Sequence, residues 1–382
     1  MVYFYDRLIK LTYRVSNWYM LFDLEPKSRR EDLYDFETEL RSLINGIVNE
    51  KIIVVKGLRR TGKTSLMKVA LNESGYPFIY LDPRFSGRPR QSDVVELIRR
   101  GLEDFLGRNR PIIDRVREAL SRIKWVRVGV SPIHVEIRLN ESRRLSIGEL
   151  LDAINDLGAE LGKAVVIAID EAQELSKITW IDFNMLLAYA YDNLRYVKFL
   201  LSGSEVGLLD RFLRVKDPEA PLFGRYIYFV NTRRLSPDES LDFLRRGFEQ
   251  YGVKPSDDFL VRVVNELDGI IGWLTYVGHQ YVVEGKHSLD DVLESATALA
   301  LSELRNFLMN RSPRYRVLLR ELFVRRSWRE LKAALEIIER RTINDKTLYV
   351  LLRELIDHGI VERVNDEYVI ADPILRRAVL KL

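Results

Sequence analysis

Lys51-Ile-Ile-Val-Val-Lys-Gly57-Leu-Arg-Arg-Thr-Gly62-Lys63-Thr64-Ser65 is the stretch on which the fold turns. An apolar run of the kind buried on both faces of a sheet enters Gly-x-x-x-x-Gly-Lys-Thr, and Ser65 to Leu71 reads as a helix. Glycines at both ends of such a loop let its backbone N–H groups turn inward around a polyphosphate, and the helix behind it adds its positive dipole end. Gly57, Leu58, Arg59, Arg60, Thr61, Gly62, Lys63, Thr64 and Ser65 are the nucleotide-binding candidates. Lys63 is expected on the β- and γ-phosphates and Thr64 on Mg²⁺.

A second half-site lies downstream. Ala164-Val-Val-Ile-Ala-Ile-Asp170-Glu171 is a buried-type strand ending in two acids, the Walker B pattern. Asp170 is expected to accept from the water shell of Mg²⁺, and Glu171 to orient the attacking water. The bland alternative is that both acids open a helix, where its positive end favours them.

The 382 residues are 47% hydrophobic, enough for two or three domains with real cores. With no cysteine, disulfides, thiolate catalysis and Cys-type zinc sites are excluded, and His134, His279, His287 and His358 show no ligand spacing. Mg²⁺ with ATP or ADP is the only cofactor implied. No apolar run reaches membrane-spanning length, and Asp6, Arg7 and Lys10 interrupt the first apolar stretch, so a cytoplasmic protein without a membrane partner is expected. Net charge is +4; residues 312–382 hold 15 Lys and Arg against 11 Asp and Glu, leaving 45 of each sign elsewhere. The excess therefore sits at the C-terminal end, as in a module facing nucleic acid or an ordinary solvated helical surface.

The chain divides into four segments. Residues 1–50 hold an aromatic helical stretch, Tyr3 to Phe22, then Pro26 and an amphipathic helix expected over Arg29 to Ile47. Residues 51–231 alternate strands (Ile52–Lys56, Phe78–Leu81, Val165–Ile169, Lys198–Leu201, Tyr226–Val230) with helices, which predicts an α/β core on a parallel, doubly wound sheet. An inserted hairpin is expected at Val126–Val130 and Ile133–Leu139 about Ser131-Pro132. Residues 232–311 carry four helical patterns and predict a helical lid; Ser236-Pro237 marks a helix start. Residues 312–382 predict three helices and a ribbon, the order of a winged helix-turn-helix. On its third helix Asn344, Lys346, Thr347, Val350 and Arg353 are candidates for contact with double-stranded DNA, opposite a leucine face.

Together with Phe199-Leu-Leu-Ser-Gly-Ser204 and Pro221-Leu-Phe-Gly-Arg225, these motifs resemble the archaeal-type ATPases of the AAA+/STAND P-loop group, related to origin-recognition initiators, over nearly the whole length. The resemblance implies an AAA+-like P-loop NTPase core with helical lid and C-terminal winged helix. It makes Ser202 or Ser204 the sensor-1 hydroxyl beside the γ-phosphate, and Arg225 an arginine finger. It also places Pro26 to Leu33 against the adenine, with Arg30 and Glu31 at the family's Arg-Glu entry. Two departures stand out. Gly269-Ile-Ile-Gly-Trp-Leu274 has Ile where the family has proline, with no arginine there to act as a second sensor, so Trp273 is expected to pack the lid. The ribbon also carries Glu362, Asp366 and Glu367, which repel phosphates. Mg²⁺-dependent ATP hydrolysis coupled to lid and winged-helix movement is the leading function. A nucleotide-gated DNA switch with slow hydrolysis and a signalling scaffold without a nucleic-acid partner are the alternatives, and self-association is among the partnerships considered.

Overall fold

The structure, a computed structural model, describes residues 20–85, 87–123, 125–130, 133–137 and 146–382. Helix α1 (Glu37–Asn49) leads into β1 (Ile52–Lys56), the phosphate loop and α2 (Lys63–Ser74). Then come β2 (Phe78–Leu81), α3 (Gln91–Arg108), α4 (Ile113–Ser121), the ribbon β3 (Val126–Val130) and β4 (Ile133–Ile137), and α5 (Ile147–Leu161). Strand β5 (Val165–Ile169), α6 (Phe183–Asn193), β6 (Val197–Gly203), α7 (Val206–Leu213) and β7 (Tyr228–Asn231) follow.

Five of these strands form one parallel sheet in the order β2-β5-β6-β1-β7. Val165 to Ile169 is buried throughout, and Ile52 to Val55 likewise, as a sheet covered on both faces requires. Alternation splits β1 between two cores: Ile52 and Val54 belong to the one that also holds residues of α3, α5, α6 and α7, while Ile53 and Val55 join an apolar mass continuing into the later helices. Because β6 lies between β5 and β1, with Ile169 opposite Leu201 and Lys56 opposite Gly203, the carboxyl ends of three strands stand side by side. That edge is where ligands of open α/β sheets bind.

The four helices after β7 are α8 (Pro237–Gln250), α9 (Asp257–Leu267), α10 (Ile271–Val282) and α11 (Leu289–Leu308). Ser236 caps α8 in a reciprocal pair with Glu239. The C-terminal segment consists of α12 (Arg314–Glu321), β8 (Arg326–Ser327), α13 (Trp328–Glu339), α14 (Asp345–Asp357), β9 (Val361–Val364), β10 (Glu367–Ile370) and α15 (Pro373–Ala378). Its antiparallel sheet runs β8-β10-β9, turned at Asn365 and Asp366, both with positive φ. Among the described residues no helix is long and apolar enough to cross a membrane.

Several expected boundaries shift. The helix expected from Arg29 starts at Glu37, because Arg30–Asp32 form only a 3-10 turn and Asp35 adopts a φ of +44°, which breaks helical continuity. Leu21 and Phe22 lie in a turn rather than a helix; residues 3–19 of the expected Tyr3–Phe22 stretch lie outside the described residues. Phe22 instead plugs the later helices, where a side chain on Gly247 or Gly278 would stand 2.3–2.4 Å from its ring. The last sheet strand is Tyr228–Asn231. The hairpin packs on α3, with the Val135 N–H donating to Glu103 at 3.0 Å; its turn at 131–132 and residues 138–139 lie outside the described residues.

Candidate nucleotide site

The phosphate loop closes without a side-chain cap on α2, since Gly62 at the cap has a φ of +84°. The N–H groups of the first helical turn are therefore available for an anion. Gly57 is glycine for lack of room: a Cβ there would stand 1.9 Å from Thr232 Oγ1. Thr232, just past β7, bonds Thr61 Oγ1 at 2.7 Å, and Thr61 donates to the Leu58 carbonyl at 2.8 Å. These contacts brace the loop from β7.

Lys63 is only 5% exposed and donates to the Leu58 carbonyl at 2.6 Å. Burial pulls its ammonium down to about 8, against the opposing influence of Glu171 and Asp170. Thr64 Oγ1 donates to Asp170 Oδ2 at 2.8 Å, and the Tyr80 hydroxyl donates to the same oxygen at 2.9 Å. Ser202 donates to Asp170 Oδ1. Three hydroxyls from α2, β2 and β6 thus hold one carboxylate at the end of β5. Burial first, then the Asp170 charge, pushes the Tyr80 hydroxyl far up, so it stays a donor.

Glu171 takes a φ of +50°, a conformation costing roughly 1–2 kcal/mol outside glycine. Its N–H donates to Ser202 Oγ at 3.2 Å. Its Oε2 accepts from the Ser204 N–H at 2.9 Å, the Ser204 hydroxyl at 2.8 Å and Gln173 Nε2 at 2.7 Å. The cleft in front of these groups, about 470 Å³, has a polar end at Gly62, Lys63, Thr64 and Ser65 and an apolar wall of Leu33, Phe36, Phe243 and Ile271. That size suits a nucleotide. The wall joins the segment before α1 to helices α8 and α10, so two parts of the chain close over the sheet edge.

Other expected residues are placed differently. Pro26, Lys27 and Leu33 line the cleft, but Arg30 turns away to Glu37 and Glu73. Lys27 donates its ammonium to the Met20 carbonyl at 2.6 Å and its backbone N–H to Ser65 Oγ at 3.0 Å. Arg225 is not among the residues lining the cleft; its guanidinium pairs with Asp192 and donates to the Pro221 carbonyl. Lys346 and Arg353 are exposed on α14 and Thr347 is half-buried, all away from the cleft. Arg59 lines the cleft and pairs with Glu205 at 2.8 Å, while Arg60 reaches Glu303. Trp273 is buried, and its Nε1 donates to both oxygens of Asp372 at 3.0 and 2.8 Å.

Sequence reasoning passed over Tyr80, Gln173 and Thr232. Gln173 stood in plain view two residues past the acid pair; Tyr80 and Thr232 gain meaning only through strand pairing.

Residues 33–277 match the family described as an ATPase domain predominantly from Archaea. A Walker-type ATPase of Pyrococcus abyssi is similar at 33% identity with a TM-score of 0.77, over 94% of this chain and 100% of that one. The Aeropyrum pernix ORC2 protein, solved as ADPNP–ADP complexes, is similar at 15% identity with a TM-score of 0.51, over 94% of this chain and 97% of that one. That likeness is one of fold. No curated protein matches the chain. The family match spans more than half the sequence and falls on the glycine loop and acidic strand end just described: the chain belongs to the family of ATPase domains found predominantly in Archaea and is an ATP-hydrolysing enzyme.

Proposed function

We propose that the enzyme is a Mg²⁺-dependent ATPase whose nucleotide state governs how the lid (α8–α11) and a C-terminal winged helix (residues 312–382) sit on the P-loop core (residues 51–231). The observation carrying this reading is the convergence of Thr64, Asp170, Glu171, Ser202 and Ser204 in front of the α2 N-terminus. A hydroxyl and a carboxylate 2.8 Å apart are the hard oxygen donors that magnesium takes alongside phosphates and water, so the residues present fit the ion. When bound, it neutralises charge developing on the phosphate oxygens.

Loop N–H groups from Gly57 to Ser65 cradle the phosphates, and Lys63 leaves the Leu58 carbonyl for the β- and γ-oxygens. Asp170 and Thr64 would hold the metal. Glu171 orients the water whose oxygen bonds to the γ-phosphorus as the β,γ-bridging P–O bond breaks. The electron pair leaves with ADP, and the water's proton passes by way of the carboxylate to the released phosphate. Ser202 and Ser204 tie both acids to β6, so loss of the γ-phosphate is felt along that strand. Leu33, Phe36, Phe243 and Ile271 enclose the adenine; Arg30 steadies the segment before α1 through Glu37.

Coupling to the C-terminal segment is supported by Glu205, which meets Arg59 at 2.8 Å and His358 at 3.5 Å, and by Arg211–Asp357 at 2.8 Å. Arg225 acts as a finger only if a second copy of the chain frees it from Asp192, so self-association is part of that role. The natural site of action is the cytoplasm. Calorimetry with a slowly hydrolysed ATP analogue tests the reading: binding by wild type, loss in Lys63→Ala, and loss of magnesium dependence in Asp170→Asn are expected. Absence of binding by wild type contradicts it.

A second reading rests on α14. Its leucines face inward while Lys346 and Arg353 are exposed, and Glu362 is turned to Arg234 at 3.0 Å, which leaves one fewer acid facing a phosphate backbone. Under this reading the winged helix binds double-stranded DNA. Anisotropy of labelled duplex at two salt concentrations should then show steep salt dependence; no binding at low salt removes it.

A further inference from the structure

We infer that Gln173 is a positioning residue for the hydrolytic step, fixing which oxygen of Glu171 faces the attacking water. The inference rests on the reading of Glu171 as the water-orienting residue.

Gln173 sits in the 3-10 turn Ala172–Lys177 after the acidic strand end and is 4% exposed, yet it lines the nucleotide cleft. Its Nε2 donates to Glu171 Oε2 at 2.7 Å, where both Ser204 donors also arrive. Among the described residues no hydrogen bond engages Oε1 of that carboxylate. Three donors on one oxygen immobilise the side chain and leave the second oxygen as its free acceptor. A carboxylate with one end pinned presents its other end in one direction, which is what orienting a water demands.

The orientation of the amide follows from the contact itself. Turned over, the Gln173 carbonyl would face the Glu171 carboxylate, acceptor against acceptor. In the observed orientation Gln173 Oε1 is buried with no partner among the described residues. An apolar side chain of equal size would fill this space without an unpaired carbonyl, so packing alone does not account for the amide. Gly203 makes the space: a Cβ there would stand 2.6 Å from Gln173 Oε1. One Ser204 donor is a backbone N–H that no side-chain change removes, so Gln173 and the Ser204 hydroxyl are the arms of the clamp open to substitution.

The test is a cycle of Gln173→Met, which keeps length and removes the donor, with Glu171→Gln. The cycle reads kcat, KM and ADP affinity. Gln173→Met is expected to lower kcat by about tenfold or more while KM and ADP affinity stay within about twofold, the signature of a misaligned reacting group. In the Glu171→Gln background it is expected to have no further effect, since a purely structural defect would act in both backgrounds. Gln173→Asn, too short to reach Oε2, is expected to behave alike, and serves if the Met variant fails to bind ADP. An unchanged kcat in a variant that binds ADP, or losses that multiply in full, overturns the inference. Glu171→Gln with a wild-type rate overturns the underlying reading of Glu171 instead.

Discussion

The guanidinium of Arg60 lies 4.1 Å from the centre of the Trp273 ring, and the Arg60 carbonyl accepts from the Gly272 N–H at 2.9 Å. A phosphate-loop residue with a φ of +65° is thereby held by α10, by Glu303 of α11, and by Asp372 of the C-terminal segment, 3.8 Å from its Nη1. Rearrangement of the loop around a nucleotide must pass through these contacts, which gives the proposed coupling a physical route.

Gly272→Ala tests that route. A Cβ at 272 would stand 2.9 Å from the Arg60 carbonyl and 2.7 Å from its Cβ, and backbone cannot step aside cheaply. The variant is expected to lose about 1–3 kcal/mol of stability in thermal unfolding. Its ATP-analogue affinity should fall by about tenfold in calorimetry.

Asp372 makes stability depend on pH. Burial raises its carboxyl above the ordinary range, partly offset by the Trp273 hydrogen bond and the Arg60 charge. The folded state then binds the proton more tightly than the unfolded chain, so this group's contribution falls as pH rises from about 4, the unfolded value, to its folded value, and is level above. Asp372→Asn removes the contribution and keeps a capping residue on α15. The melting temperature of the variant relative to wild type is expected to climb as pH rises from about 4; a constant difference contradicts it.

Lys63 makes nucleotide affinity depend on pH in the alkaline range. With its ammonium held near about 8, the lysine loses its charge above that pH, and phosphate binding must then restore the proton. Calorimetric ADP affinity is expected to weaken by about tenfold from pH 7 to pH 9. A flat profile means that Lys63 does not meet the phosphates.

Arg225 and Asp192 are expected to act as a pair. Arg225→Ala and Asp192→Asn should each leave the hydrolysis rate of dilute protein within about twofold, consistent with an ion pair at the surface, where solvent screens it. A loss of about 10³-fold that appears only at protein concentrations where copies associate assigns Arg225 to a neighbour's site.

Much of the site was legible because the phosphate loop and acidic strand end are local: Gly57 to Ser65 and Asp170-Glu171 are contiguous runs whose chemistry is set by order along the chain. The strands were legible from their apolar runs, and α8 from its Ser236-Pro237 start. What escaped depended on distance or on backbone sign. Tyr80 acquires its role from the β2–β5 pairing, and Trp273 its partner from Asp372, 99 residues on. The positive φ at Asp35, which delays α1, has no marker beyond an ordinary acid. Helix α15 was overlooked because six residues give too short a period, although Asp372-Pro373 is a legible start.

Single-turnover hydrolysis by Glu171→Gln, with nucleotide affinity measured on the same protein, tests the central claim most directly. Binding within about twofold of wild type with phosphate release slowed by about 10²-fold or more is predicted, since the carboxylate acts on water rather than on the nucleotide. Release at the wild-type rate contradicts the assignment of hydrolysis to the acid pair at the end of β5.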